Sequence, residues 1–303
     1  MFVLATLLTF IALADEPKRT MVVDGAPGAH LTPPLLRGGA GKTSWSVDLV
    51  QLPGGTFTAG ALPGEPGADW WPPREVTVAP FLLADVETPW GLYQQYDPTD
   101  AQENKADLPA VRVSWWDAID FANWLTTKEL GADQQVYTIT GEGDARTVEV
   151  ALDRKGYRLP TADEWEWAAR AGKTSAYGEY GNASWGCDFT NTPINDCLPG
   201  AADVFDDRLA PSRPPASGKG AFKPNSWGLY HLNGNVQEWV SGSVTNSNGR
   251  ELTLYNGGSY STCKMSRSGD PRPAFDLCMP VGRSEDLPTR ERDDLGFRLA
   301  RTP

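Results

Sequence analysis

Residues 228–240 read GLYHLNGNVQEWV. Gly228, Asn233, Gly234 and Asn235 interrupt the apolar positions too often for a helical stripe, and the glycines are too many for an ordinary strand. The run therefore predicts a fixed irregular loop, with Glu238 as its one carboxylate and Trp239 beside it. Loops held in unusual backbone shapes are where sites are built, so the flanking chain is read for what it adds here.

Downstream, residues 252–260 read as a strand running into Gly257, Gly258, Ser259 and Tyr260, and residues 296–300, GFRLA, as the last strand. Upstream, residues 172–224 carry almost no periodicity and hold Cys187 and Cys197. So long an irregular stretch inside a domain is expected to be functional or specially braced. Before it, YRLPTADEWEWAARA (157–171) predicts a helix. Thr161 and Glu164 have capping-box spacing, and Trp165, Ala168 and Ala169 form the apolar stripe. A second helix is predicted in 111–130, with Ser114 as its cap, Asp117 in the first turn, and Ala118, Phe121, Ala122 and Leu125 on one face. Between the two, QQVYTIT (134–140) and RTVEVAL (146–152) alternate about a glycine-containing turn and predict a projecting hairpin. Further upstream, 45–57 predicts two short strands around Pro53, Gly54 and Gly55, and 75–86 a strand pair split at Pro80. A short helix is expected to begin after Pro89.

The chain ends of this reading concern export. Residues 1–14, MFVLATLLTFIALA, are an apolar run closing in a small-x-small pattern before Asp15, and read as a signal peptide. A spanning helix needs about 20 apolar residues, so no stable membrane anchor is expected after cleavage. Residues 15–44, rich in proline, glycine and alanine, read as a flexible linker. The expected location is secreted, periplasmic or cell-surface. Forty per cent hydrophobic content with 12 tryptophans supplies a sizeable core, while 31 glycines and 25 prolines without a period point to many turns. A formal charge of −12 repels nucleic acid, and no basic cluster offsets it.

Four cysteines fit an exported protein: Cys187, Cys197, Cys263 and Cys278. Three pairings are open, of which the local one, Cys187 with Cys197 and Cys263 with Cys278, is the simplest. Zinc lacks ligands, since no CxxC occurs and the only histidines are His30 and His231.

Taken in order, LPGGTF, FLLADVETPWGLY, PAVRVSWWDAIDFANWL, YRLPTADEWEWAARAG, NSWGLYHLNGNVQEWV, NGGSY and GFRLAR carry a name. The series resembles the formylglycine-generating enzyme, or sulfatase-modifying factor, family. The resemblance implies one α+β domain over residues 45–303, with the C-type-lectin-like FGE-sulfatase fold. Low regular secondary structure, short antiparallel strands and two main helices go with it.

Oxidising members of that family convert a cysteine in an unfolded sulfatase segment, using molecular oxygen and copper(I). The metal is held by two closely spaced cysteines just after the GGS strand, and soft thiolates suit copper(I). Here residues 257–270 read GGSYSTCKMSRSGD. Cys263 stands one place later than the family's first cysteine, Arg267 and its neighbours occupy the second's place, and Cys278 is the next thiol. That separation suits a structural disulfide. The resemblance also implies a calcium loop with ligands at His231, Gly234, Val236 and Glu238, and a second site near Asn191. Calcium wants hard oxygen donors, so His231 is a poor replacement. The other reading of Glu238 is an acid bonded to loop amides. Ser259, Tyr260 and Gln237 fall where the family's groove is lined, and Arg298 is expected to pair with a buried acid. A histidine-based iron enzyme is excluded, because His231 stands alone once His30 is placed in the linker.

Two functions follow as expectations. The first is an exported domain that lacks the copper-binding pair and binds a peptide or glycan in its groove. The alternative is a divergent oxidase turning a peptide cysteine into an aldehyde with copper and oxygen, with Cys263 and Ser259 as its candidate catalytic residues. Nothing in the sequence fixes an oligomeric state.

Overall fold

The computed structural model describes residues 30–31, 47–64, 71–99, 106–174, 224–232, 234–245, 251–256 and 283–303. The chain begins with β1 (His30–Leu31), β2 (Leu49–Leu52), β3 (Gly55–Ala59), β4 (Arg74–Val78) and β5 (Phe81–Ala84). The helices α1 (Trp90–Tyr93) and α2 (Trp115–Glu129) follow, then β6 (Tyr137–Thr140), β7 (Thr147–Val150), β8 (Tyr157–Arg158) and α3 (Ala162–Arg170). The last part contributes β9 (Gln237–Thr245), β10 (Glu251–Asn256), β11 (Arg283–Asp286), β12 (Leu295–Phe297) and β13 (Ala300–Arg301).

Both predicted helix caps form. Ser114 accepts from the Asp117 N–H and the Asp117 carboxylate accepts from the Ser114 N–H; Thr161 and Glu164 do the same for α3. Each cap satisfies two of the orphan donors at a helix start and typically stabilises by about 1 kcal/mol. Pro89 precedes α1 as expected.

The strands sort into sheets of order β1-β2-β5-β13-β8 and β11-β10-β9-β12, with β3-β4 and β6-β7 as separate ribbons. Within the five-stranded sheet, β5 is buried at every position. Its alternate residues serve different clusters: Leu82 and Ala84 pack with α2, whereas Phe81 and Leu83 pack with α3. An antiparallel sheet covered on both faces loses the usual polar alternation, which is why FLLA reads as a continuous apolar run. Phe121 and Leu125 of α2 and Trp165 of α3 are fully buried in these two clusters, each contributing on the order of 1.5–3 kcal/mol.

Several expectations need correction. The loop ends earlier than predicted: from Gln237 the chain is strand β9, because β10 on one side and β12 on the other supply its ladder. The strands pair antiparallel as expected, apart from β12, which runs parallel beside β9. GFRLA is two strands rather than one. β12 belongs to the four-stranded sheet and β13 to the five-stranded sheet, with Arg298 and Leu299 crossing between. Gly296 is needed at that crossing, since a Cβ there would meet the Ala110 carbonyl oxygen at 2.5 Å. The linker is not wholly free of structure either, as His30 and Leu31 pair with β2.

Candidate functional site

The crossing between the two sheets places Arg298 beneath the loop that precedes β9. Arg298 and Glu238 are both fully buried, and they form a two-pronged ion pair. Nε donates to Oε2 and Nη2 to Oε1, each at 2.7 Å. The indole Nε1 of Trp165 adds a third donor to Oε2 at 2.7 Å. The remaining Arg298 donors reach the carbonyls of Ala84 (3.1 Å) and Tyr230 (3.0 Å), which ties β5 and the loop to the same guanidinium. Such a planar fork matches a carboxylate better than any other side chain.

A second carboxylate stands alongside. Glu87, in the segment after β5, accepts from His231 Nδ1 at 3.1 Å and from the Asn235 side-chain amide at 2.9 Å. His231 and Asn235 both take left-handed backbone conformations, φ 60° and 63°, and Gly234 between them has φ 129°. The irregular loop shape predicted from sequence is therefore real, and Glu87 bonds both of its left-handed residues. Burial alone would push the Glu87 carboxyl up, but His231, Arg298 and Asn235 outweigh it and hold the group below its usual range. Glu238 ends above its usual value, because burial and the neighbouring Glu87 charge together exceed the pull of Arg298.

This geometry decides how well the loop could hold calcium. Three N–H donors already occupy the two Glu238 oxygens, two of them from the Arg298 guanidinium, each at 2.7 Å. His231 presents an imidazole already turned to Glu87. Calcium needs six to eight hard oxygen ligands. The side chains at His231 and Glu238 do not fit it, and Gly234 and Val236 are left with backbone carbonyls alone. Among the described residues, Arg298 and Trp165 rather than loop amides hold the Glu238 carboxylate.

Gln237, expected to line the groove, is buried at the start of β9. It is 3% exposed, and its side-chain oxygen accepts from Arg292 Nη2 at 2.6 Å. The pairing of Arg298 with a buried acid is as expected, with Glu238 as the acid. Ser259, Tyr260, Cys263, Cys278, Cys187, Cys197 and Asn191 lie outside the described residues. Sequence reasoning missed Glu87, although a signal was present. In FLLADVETPW the acids Asp85 and Glu87 interrupt an apolar run, and a buried acid needs a partner.

A second ionic cluster braces the far side of α3. Glu166, fully buried, joins Arg170, Arg283 and the Gly60 N–H, while Asp163 joins Arg74 and Arg283. Among the described residues, no group of three or more His, Cys, Asp or Glu side chains is arranged to hold a metal ion.

Short strands in two sheets, two capped helices and a buried Arg–Glu pin at the sheet crossing define a single α+β domain of the C-type-lectin-like class. Two solved structures share that fold. Treponema denticola variable protein 1 superposes with a TM-score of 0.62 at 20% identity, covering 88% of this chain and 98% of its own. PvdO from Pseudomonas aeruginosa gives 0.61 at 23% identity, covering 92% and 100%. The chain belongs to the FGE-sulfatase family: the sulfatase-modifying factor enzyme 1-like domain matches residues 41–303. Relatives within the family differ in what they are named for. The inactive C-alpha-formylglycine-generating enzyme 2 of Bos taurus is 28% identical over 290 residues, 86% of this chain and 89% of its own. The chaperone protein LppX of Paenibacillus barcinonensis is 28% identical over 66% of this chain and 73% of its own. The formylglycine-generating enzyme of Thermomonospora curvata is 29% identical over 61% of this chain and 48% of its own.

Proposed function

We propose that this protein is an exported, non-oxidising member of the FGE-sulfatase family that binds a peptide or glycan ligand. The observation that carries this reading is the run GGSYSTCKMSRSGD, in which Cys263 has no thiol neighbour before Cys278. A linear two-thiolate site for copper(I) needs two cysteines close in space at that point. A lone shifted cysteine, in a chain that begins with an export-type segment, is better suited to a disulfide. The relative named as inactive, and the one named as a chaperone, support a family in which the fold is kept without oxidase chemistry. Fold alone does not settle function, so the thiols bear the argument.

The test is an aldehyde assay on a cysteine-containing peptide, using protein loaded with copper(I) under oxygen. No aldehyde is expected, and Cys263→Ser is expected to behave as the parent. Oxygen-dependent aldehyde formation that Cys263→Ser abolishes would establish the oxidase alternative instead.

A further inference from the structure

We propose that the outer edge of β7 is a docking strand for an extended peptide segment of another protein. The peptide adds to the β6–β7 hairpin and sends an apolar side chain into the adjoining cavity. This rests on the binder reading, and commits it to one ligand class and one place; it draws on none of residues 257–278.

The two edges of the hairpin are unlike. The Ala151 N–H donates to the Val136 carbonyl at 2.9 Å, which makes 151 and 136 a hydrogen-bonded pair. Alternation along an antiparallel ladder then makes Val150↔Tyr137 and Val148↔Ile139 the pairs that exchange no backbone bonds. Asn123 of α2 agrees with this register. Its side-chain amide donates to the Tyr137 carbonyl at 2.8 Å and accepts from the Tyr137 N–H at 3.3 Å, so those groups face away from β7. By the same geometry Val148 and Val150 turn their N–H and C=O groups away from β6. The edge of β6 is thus covered by α2 at Tyr137. Among the described residues, no hydrogen bond reaches the outward groups of Val148 and Val150.

The open edge borders a cavity of about 560 Å³ whose lining mixes apolar side chains, among them Val148, Val150, Trp115 and Trp116, with polar ones such as Thr147 and Thr253. That volume lies in the range of roughly 300–1,000 Å³ usual for ligand sites. Arg146 lies 4.5 Å from the Trp116 ring centroid and is tied to Asp120 at 2.6 Å, which steadies the indole. Val150 and Leu152, 42% and 43% exposed, are two of the three exposed large apolar side chains among the described residues. The strand Thr147–Val150 is short and carries Glu149, but its unpaired outward groups remain a template for a further strand.

The chemistry selects the occupant. Two residues along a strand repeat at about 7 Å, with a donor and an acceptor at each step. An extended polypeptide repeats its own donors and acceptors at that spacing, and an oligosaccharide does not. Strand addition of this kind draws affinity from main-chain bonds and selectivity from pockets for alternate side chains. The net charge of −12 selects against an acidic segment.

The test uses the whole chain and two probes, an immobilised library of random decapeptides and an array of oligosaccharides. Val150→Pro removes one outward N–H without touching the ladder to β6, and Val150→Thr keeps it. Library peptides with alternating apolar residues are expected to be enriched, to bind Val150→Pro at least about tenfold more weakly, and to bind Val150→Thr nearly as the parent does. In the parent protein, bound peptide is expected to slow hydrogen exchange at the Val148 and Val150 amides, a readout that holds even if Val150→Pro fails to fold. Enriched peptides that leave those two amides unprotected, or that bind Val150→Pro as tightly as the parent, overturn the proposal. Retention of oligosaccharides alone overturns it while leaving the binder reading standing. Retention of neither probe removes both.

Discussion

Exchanging Glu238 for glutamine keeps the side-chain volume and removes the charge that faces Arg298. Both groups are fully buried, and the guanidinium directs two of its donors at the carboxylate, each at 2.7 Å. Losing one partner of a buried ion pair costs about 3–5 kcal/mol, and the neighbouring Glu87 charge offsets part of that, so Glu238→Gln should lose about 3 kcal/mol. Arg298→Met should lose more. It strands the carboxylate and also leaves the Ala84 and Tyr230 carbonyls, now bonded at 3.1 and 3.0 Å, without their donor. Each unsatisfied carbonyl adds about 1–3 kcal/mol. The sum takes a large part of the roughly 5–15 kcal/mol that holds a domain together, so this variant is expected to unfold at the lowest urea concentration of the four. The double variant removes both charges, and should be less destabilised than the two single losses added together, by about 2–3 kcal/mol. Urea unfolding followed by tryptophan fluorescence reads all four corners of the cycle. If Glu238→Gln unfolds within about 0.5 kcal/mol of the parent, or the cycle is additive, the pin at the sheet crossing does not hold the fold as argued.

Further outcomes follow from the same structure. Calcium at a hundred times its dissociation constant would stabilise a real site by about 2.7 kcal/mol; here neither added calcium nor a chelator should move the unfolding midpoint, because Arg298 and Trp165 hold Glu238. Burial pushes the Asp163 carboxyl up, but bonds from Arg74 and Arg283 outweigh it and hold the group below its ordinary 3.8. The folded chain therefore binds fewer protons than the unfolded chain just below that pH, and stability falls as the solution is acidified through the window. Asp163→Asn should flatten that acid limb and lower stability at neutral pH by about 2 kcal/mol, read by unfolding midpoints across a pH series. Ser114→Ala should lower stability by about 1 kcal/mol without changing the helix content measured by circular dichroism, since only the cap of α2 is lost.

What the sequence made legible was mostly local. Ser114 with Asp117 and Thr161 with Glu164 lie three residues apart, and a capping box is decided within one turn. The β6–β7 hairpin was legible for the same reason. Pairing across the chain was not. β2 and β3 flank one turn in sequence yet enter different sheets, because β5 rather than β3 supplies the ladder for β2. GFRLA has the composition of one strand, and only the packing of Gly296 against Ala110 and the turn of Arg298 toward Glu238 divides it. In the loop, the residue types announced an irregular backbone, but Glu87, which bonds His231, lies 144 residues from it. Likewise the bond that Gln237 accepts from Arg292 links positions 55 residues apart, which no local pattern announces.

We propose that this chain keeps the fold without the copper-binding thiol pair. Thiol titration of the native and the reduced protein, with copper(I) stoichiometry measured on the same samples, decides the matter. No titratable thiol before reduction, four afterwards and no copper retained by the native chain is the predicted result. One copper(I) per native chain, with Cys263 free and the metal lost in Cys263→Ser, would contradict it.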